Sequence, residues 1–269
     1  MANNGTQVVV LGDSFTANSL EIGTSGADRC SRSATSWPSQ LARSMDRSFL
    51  DFSCSGAVID TGRNWSLAYE AKKAAEAGAF GSGTDAVLLQ FGLNDDWGIG
   101  MPLIDALIHC VADLIRGCDR DAVVQNRFAD PGKVTAQRYA DRISQVVTYI
   151  QYYAPNARIV LVGYPELLNL DSAAACIDIL GVPLLVQPRA AALVDYLQSL
   201  GRAQAGAAEL LGIDYFDTAA VSRGHGLCTP DPWVNGLGNP RADLLGIPGH
   251  PSARGDASTA AELKSQLGL

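Results

Sequence analysis

A serine falls directly after an apolar run near the start of this chain. In VVVLGDSFTAN the apolar residues end at Gly12, and Ser14 stands where the chain must turn. Taken alone, that placement reads as a helix cap, because Ser and Asp satisfy the free N–H groups at a helix start. A serine hydroxyl becomes a nucleophile when a base within hydrogen-bond reach takes its proton, and acyl transfer also needs donors aimed at the oxyanion that forms. Of the three histidines, His250 in IPGHPSARGD is best placed as that base, since it ends a long loop and precedes the last helical segment. Gly56 in CSGA offers a backbone N–H with no side chain in the way, and Asn94 in GLND offers an amide. Ser14 adds its own N–H at a helix start, where the dipole favours negative charge. Gly56 and Asn94 are each equally well explained as turn residues when taken singly.

The surrounding pattern decides whether these residues can meet. Short apolar runs recur at Val8–Leu11, Phe49–Ser53, Ala86–Phe91, Ile159–Val162 and Ile213–Phe216, each bounded by turn-forming residues. Between and after them lie helical patterns at Trp37–Asp46, Leu67–Ala77, Pro102–Arg116, Lys133–Tyr153, Pro188–Leu211 and Ser252–Leu267. This alternation predicts five parallel strands with helices on both faces, a three-layer α/β/α sandwich formed as one domain over residues 1–269. In such sheets ligands sit beyond the carboxyl ends of the strands. GDS, CSGA and GLND each follow a strand end, so they should converge. The Gly- and Pro-rich stretch Thr218–Gly249 is too long for an ordinary connection and should be functional or pinned.

Composition narrows the function classes. The chain has 269 residues, 47% hydrophobic and 18% charged, with a formal net charge of −8. That acidity argues against nucleic acid or an anionic membrane surface as partner, and no apolar run is long enough to span a bilayer. Six cysteines, Cys30, Cys54, Cys110, Cys118, Cys176 and Cys228, form no C-x-x-C pair. They favour disulfides over a metal cage, and neither a metal nor an organic cofactor is expected. Fifteen connectivities are open; sequential pairing (Cys30–Cys54, Cys110–Cys118, Cys176–Cys228) is the simplest, the last of which would pin the long loop. An oxidising, extracellular setting follows. MANNGTQ carries no signal segment, so the sequence reads as a mature form, and a monomer is expected.

Gly12-Asp13-Ser14, Gly56, Gly92-Leu93-Asn94-Asp95 and His250-Pro251 together resemble, in order, the four blocks of the SGNH or GDSL hydrolases. The resemblance implies a flavodoxin-like sheet, Ser14 as nucleophile, His250 as base, and an oxyanion hole from the Ser14 and Gly56 N–H groups and the Asn94 side chain. No G-x-S-x-G elbow is present. One position departs from the family pattern: where most members carry Asp three residues before the histidine, this chain has Ile247. A backbone carbonyl at Ile247 is then expected to hold the ring, giving a Ser14–His250 dyad, as in members of the secreted actinobacterial group with three disulfides that CSGA and GHGLCTPDPWVN also resemble. Asp243 and Asp256 remain alternative orienting acids, although neither has the family spacing. Asp13 and Asp95 read as structural, and His225 as a loop-packing residue. Trp97, Trp233 and IGMPLI (Ile99–Ile104) are candidates to line an acyl groove, although core or loop packing explains all three slightly better. The expected activity is hydrolysis of small-molecule or lipid carboxylic esters through an acyl-enzyme. A carbohydrate O-deacetylase and an inactive surface-binding domain are the competing readings.

Overall fold

A computed structural model describes residues 4–19, 30–61, 65–98, 102–128 and 130–269. Five parallel strands form one sheet: β1 (Val8–Gly12), β2 (Phe49–Asp51), β3 (Ala86–Gln90), β4 (Arg158–Val162) and, last in the sheet, β7 (Asp214–Phe216). Their order is β2-β1-β3-β4-β7, so the chain steps to one edge and then returns past β1 to build the other half. β2 stops two residues before the expected Ser53, because the Asp51 carboxylate accepts the Ser53 N–H at 2.8 Å and turns the backbone.

The period-two alternation of the strands sends their side chains into two cores. Val9, Leu11, Val87, Leu89, Ile159 and Leu161 face the larger one, with Tyr139, Ile143 and Leu200 from helices packed there. Val8, Val10, Leu88, Val160 and Val162 face the smaller one, closed by Trp37, Leu41 and Leu263. The helices are α1 (Ser14–Ala17), α2 (Trp37–Ser44), α3 (Leu67–Glu76), α4 (Leu103–Ala112), α5 (Arg120–Val124), α6 (Ala136–Tyr153), α7 (Ala191–Leu211), α8 (Thr218–Val221) and α9 (Ala253–Leu267). Serine or threonine caps start several: Ser36, Ser66, Thr135 and Ser252 each accept a backbone N–H from the first turn.

An antiparallel hairpin, β5 (Ala175–Ile179) and β6 (Val182–Gln187), has no counterpart in the sequence reading. Its turn residues Leu180 and Gly181 both have positive φ, 54° and 79°, the conformation that matches the twist of a tight hairpin. All three sequential disulfides are formed: Cys30–Cys54, Cys110–Cys118 and Cys176–Cys228. The third ties the hairpin to the loop that follows α8, and so pins the long connection.

Candidate active site

At the carboxyl end of the sheet, β1 runs straight into α1. Asp13 caps that helix by accepting the Phe15 N–H at 2.8 Å, which leaves Ser14 as its first residue. Only glycine fits at position 12, because a Cβ there would stand 2.1 Å from Thr16 Oγ1. The Ser14 Oγ lies 2.8 Å from His250 Nε2, across 236 residues of sequence. Gly56, at φ 79°, follows β2, and Asn94 follows β3. Among the described residues, no acceptor is bonded to the Ser14 or Gly56 N–H, so both are available to a substrate oxygen. Asn94 uses one amide hydrogen on the Ala57 carbonyl at 3.1 Å and keeps the other. All four residues line one cavity of about 420 Å³, whose remaining walls include Leu107, Leu167, Leu168, Leu193, Leu197, Leu227 and Ile247. Serine, imidazole and backbone donors thus meet at the mouth of a leucine-walled space.

A family model for GDSL-like lipases and acylhydrolases matches residues 10–257, which takes in the serine and the histidine alike. The chain belongs to that family. It is a carboxylester hydrolase. Lipase 2 of Streptomyces coelicolor is 28% identical over 273 residues, covering 97% of this chain and 85% of the relative. In fold, the chain is similar to the extracellular lipase of Streptomyces rimosus (TM-score 0.68, 24% identity, 98% of this chain and 100% of that one). It is also similar to phospholipase A1 from Streptomyces albidoflavus (TM-score 0.66, 23% identity, 97% and 99%).

In this GDSL hydrolase the His250 ring is held without a carboxylate. Its Nδ1 faces the Pro248 carbonyl at 3.2 Å. The expected acceptor, Ile247, is displaced by one residue: its carbonyl takes the His250 backbone N–H at 3.0 Å, and its side chain forms part of the cavity wall. The tight turn that this bond closes brings the next carbonyl, that of Pro248, under the ring. Phe15 stacks on the imidazole, with ring centroids 4.4 Å apart. Burial pushes the His250 pKa down from 6.5 to about 4, only partly offset by the Pro248 carbonyl, so the ring is neutral at ordinary pH.

Asp243 and Asp256 are both engaged elsewhere. Asp243 accepts the Ala253 N–H at 2.7 Å, at the start of α9. Asp256 accepts the Asn18 amide at 2.7 Å, and the same amide also donates to the Pro251 carbonyl at 2.9 Å. The helix carrying Ser14 is thereby tied to the segment carrying His250.

Buried carboxylates brace the turns. Asp13 is fully buried, and desolvation raises its pKa to about 7 even though Tyr164 and the Phe15 N–H both donate to it. Asp95 accepts the Ile59 N–H at 3.0 Å and pairs with Arg142, which links the Asn94 turn to the Gly56 loop. Glu70 on α3 accepts the Gly12 N–H at 2.8 Å, a support for the serine turn with no signal in the GDS motif itself. Its burial drives its pKa well above the usual carboxylate range.

Trp97 is a core residue and not part of the groove: its indole donates to the Gly92 carbonyl at 3.0 Å, and it stacks on Tyr139. Trp233 stacks on His225, with centroids 3.8 Å apart, and His225 Nδ1 is held at 2.8 Å from the Asp231 carbonyl. Both belong to loop packing. Of IGMPLI, residues 99–101 lie outside the described residues, as do the side chains of Leu103 and Ile104. The apolar walls of the cavity come instead from α4, α7 and the segments around 167 and 227, leucines spread so far apart in sequence that no local motif announces them. Among the described residues no cluster of His, Cys, Asp or Glu could hold a metal ion, and no helix is long and apolar enough to cross a membrane.

Proposed function

We propose that this hydrolase cleaves acyl esters with medium or long apolar chains through an acyl-enzyme on Ser14. The observation that carries the reading is the 2.8 Å contact between Ser14 Oγ and a neutral, buried His250 Nε2, facing a leucine-walled cavity. His250 Nε2 takes the Ser14 proton as Oγ attacks the ester carbonyl carbon. The carbonyl oxygen becomes an oxyanion and receives the Ser14 and Gly56 N–H groups and the free Asn94 amide hydrogen. Collapse expels the alcohol, which takes the proton from His250, and leaves the acyl group on Ser14. His250 then deprotonates water, and the second tetrahedral species releases the carboxylic acid and returns the proton to Ser14.

The cavity walls favour an acyl chain over a short polar acetyl group on a sugar, since burying methylenes against leucines contributes about 0.8 kcal/mol each. Three disulfides support work in an oxidising, extracellular setting. The whole chain acts as a single monomeric domain, and its net charge of −8 argues against nucleic acid as a partner. The experiment is hydrolysis of p-nitrophenyl esters from acetyl to long acyl chains, with Ser14→Ala and His250→Ala in parallel. Turnover of the longer esters that disappears in both variants is expected. Activity confined to acetyl esters would favour the deacetylase, and a folded protein inactive on every ester would favour a binding domain.

A further inference from the structure

Tyr164 lies just beyond β4, the fourth strand end at this edge of the sheet, and plays no part in the chemistry above. We propose that it is a positioning residue for hydrolysis, its hydroxyl locking the Asn94 turn to the Ser14 turn so that their donors meet on one oxyanion. This rests on Ser14 as nucleophile and Asn94 as oxyanion donor.

The hydroxyl uses both of its capacities. It donates to Asp13 Oδ2 at 2.5 Å and accepts the Leu93 N–H at 3.3 Å. Asp13 Oδ1 in turn accepts the Phe15 N–H at 2.8 Å. A continuous path therefore runs from the residue before Asn94, through one phenol, to the residues on either side of Ser14. Its ring also meets Phe15 edge-on, with centroids 5.1 Å apart, and Phe15 is the ring stacked on His250.

Other contacts hold the Asn94 turn from different sides. Tyr139 donates to the Phe91 carbonyl at 2.7 Å, and Asn94 itself donates to the Ala57 carbonyl at 3.1 Å. The sheet ladder between β1 and β3 ends with the Asp13 N–H on the Gln90 carbonyl at 3.1 Å, four residues short of Asn94. Past that bond, Tyr164 joins the two turns. It is buried but does not line the cavity that Ser14 faces, so it acts through its neighbours and not on substrate.

Tyr164→Phe removes one oxygen and keeps the ring against Phe15. It leaves the Leu93 N–H buried without its partner, which frees the turn to shift. The test is a double-mutant cycle of Tyr164→Phe with Asn94→Ala, reading kcat and KM on a medium-chain p-nitrophenyl ester, with thermal unfolding of each variant as the fold control. Tyr164→Phe alone should lower kcat about tenfold with KM unchanged, as befits a lost transition-state contact. With Asn94 already Ala, the same substitution should cost less than about twofold, because the donor it positions is gone. Equal losses in the two backgrounds, or a rise in KM with kcat unchanged, would overturn the proposal. Full activity in Asn94→Ala alone would instead remove Asn94 from the oxyanion hole, and the role of Tyr164 with it.

Discussion

Acidification separates a base with a lowered pKa from an ordinary histidine. Burial against Phe15 and the cavity wall sets the His250 pKa at about 4 instead of 6.5. A general base must be neutral, so kcat/KM, which reports the free enzyme, should fall tenfold per pH unit only below that value. At pH 5 a base of pKa 4 is about 90% neutral and one of pKa 6.5 about 3% neutral, a difference of roughly 30-fold in rate. The assay is kcat/KM on a neutral ester from pH 3.5 to 8, with the His250 ring followed by NMR after assignment by substituting His109 and His225. Phe15→Ala lets water reach the ring and should move the acidic limb up toward 6.5. A neighbouring group, Asp13, is raised to about 7 by burial, and its limb would not follow Phe15→Ala. Stability is the wrong readout. As pH falls from 6.5 to 4 the unfolded chain protonates His250 before the folded one does, which removes up to about 3 kcal/mol. Asp13 opposes this, since a carboxyl with raised pKa adds stability as pH falls from 7 toward 3.8. A His250 ring midpoint above pH 6 would refute the account of the buried, neutral base.

Asp243→Asn should keep kcat within about threefold, since an orienting acid is worth about 10⁴ in a full triad and Asp243 sits on the Ala253 N–H instead; steady-state kinetics decides, and a thousandfold loss would make it the missing acid. Asn94→Ala should lower kcat by about 10² to 10³ with little change in KM. Replacing Cys176 and Cys228 together by Ala opens a closure of 52 residues and should destabilise the fold by about 4 kcal/mol in urea unfolding. Leu197→Trp would fill part of the acyl cavity, so relative kcat/KM should shift from long toward short p-nitrophenyl esters, and an unchanged profile would place the chain elsewhere.

What could be read from the sequence depended on how local the signal was. The five parallel strands were legible because each is a short apolar run ended by a turn residue, and the strand-to-turn motifs placed Ser14, Gly56 and Asn94 at one edge. The hairpin at Ala175–Gln187 was not, because Leu180 occupies a positive-φ turn position usually marked by Asn or Asp, and β6 exposes Val182, Leu184 and Val186. Within the site, the carbonyl on His250 missed by one residue, since which of two successive carbonyls reaches a ring depends on turn geometry that side-chain identity does not encode. Tyr164, Glu70 and the leucine walls were invisible for a different reason: each acts across 50 or more residues of sequence or as one member of a scattered set.

The absence of a carboxylate at position 247 changes how the proposed base must work. A carbonyl at 3.2 Å fixes the tautomer, keeping the proton on Nδ1 and the lone pair of Nε2 toward Ser14. It carries no full negative charge, so it stabilises the imidazolium that acylation creates less than a carboxylate would, and desolvation by burial, only partly offset by that carbonyl, keeps the pKa of the resting ring low. The charge that answers the imidazolium is the oxyanion itself, which forms in the same step, beside the same Nε2–H and in the same apolar cavity. Coulomb attraction in a low-dielectric site is strong at such distances, and here it exists in the transition state but not in the resting enzyme. A buried, neutral histidine and a leucine-walled pocket therefore serve the same end: both keep the site uncharged until the reacting pair supplies its own charges.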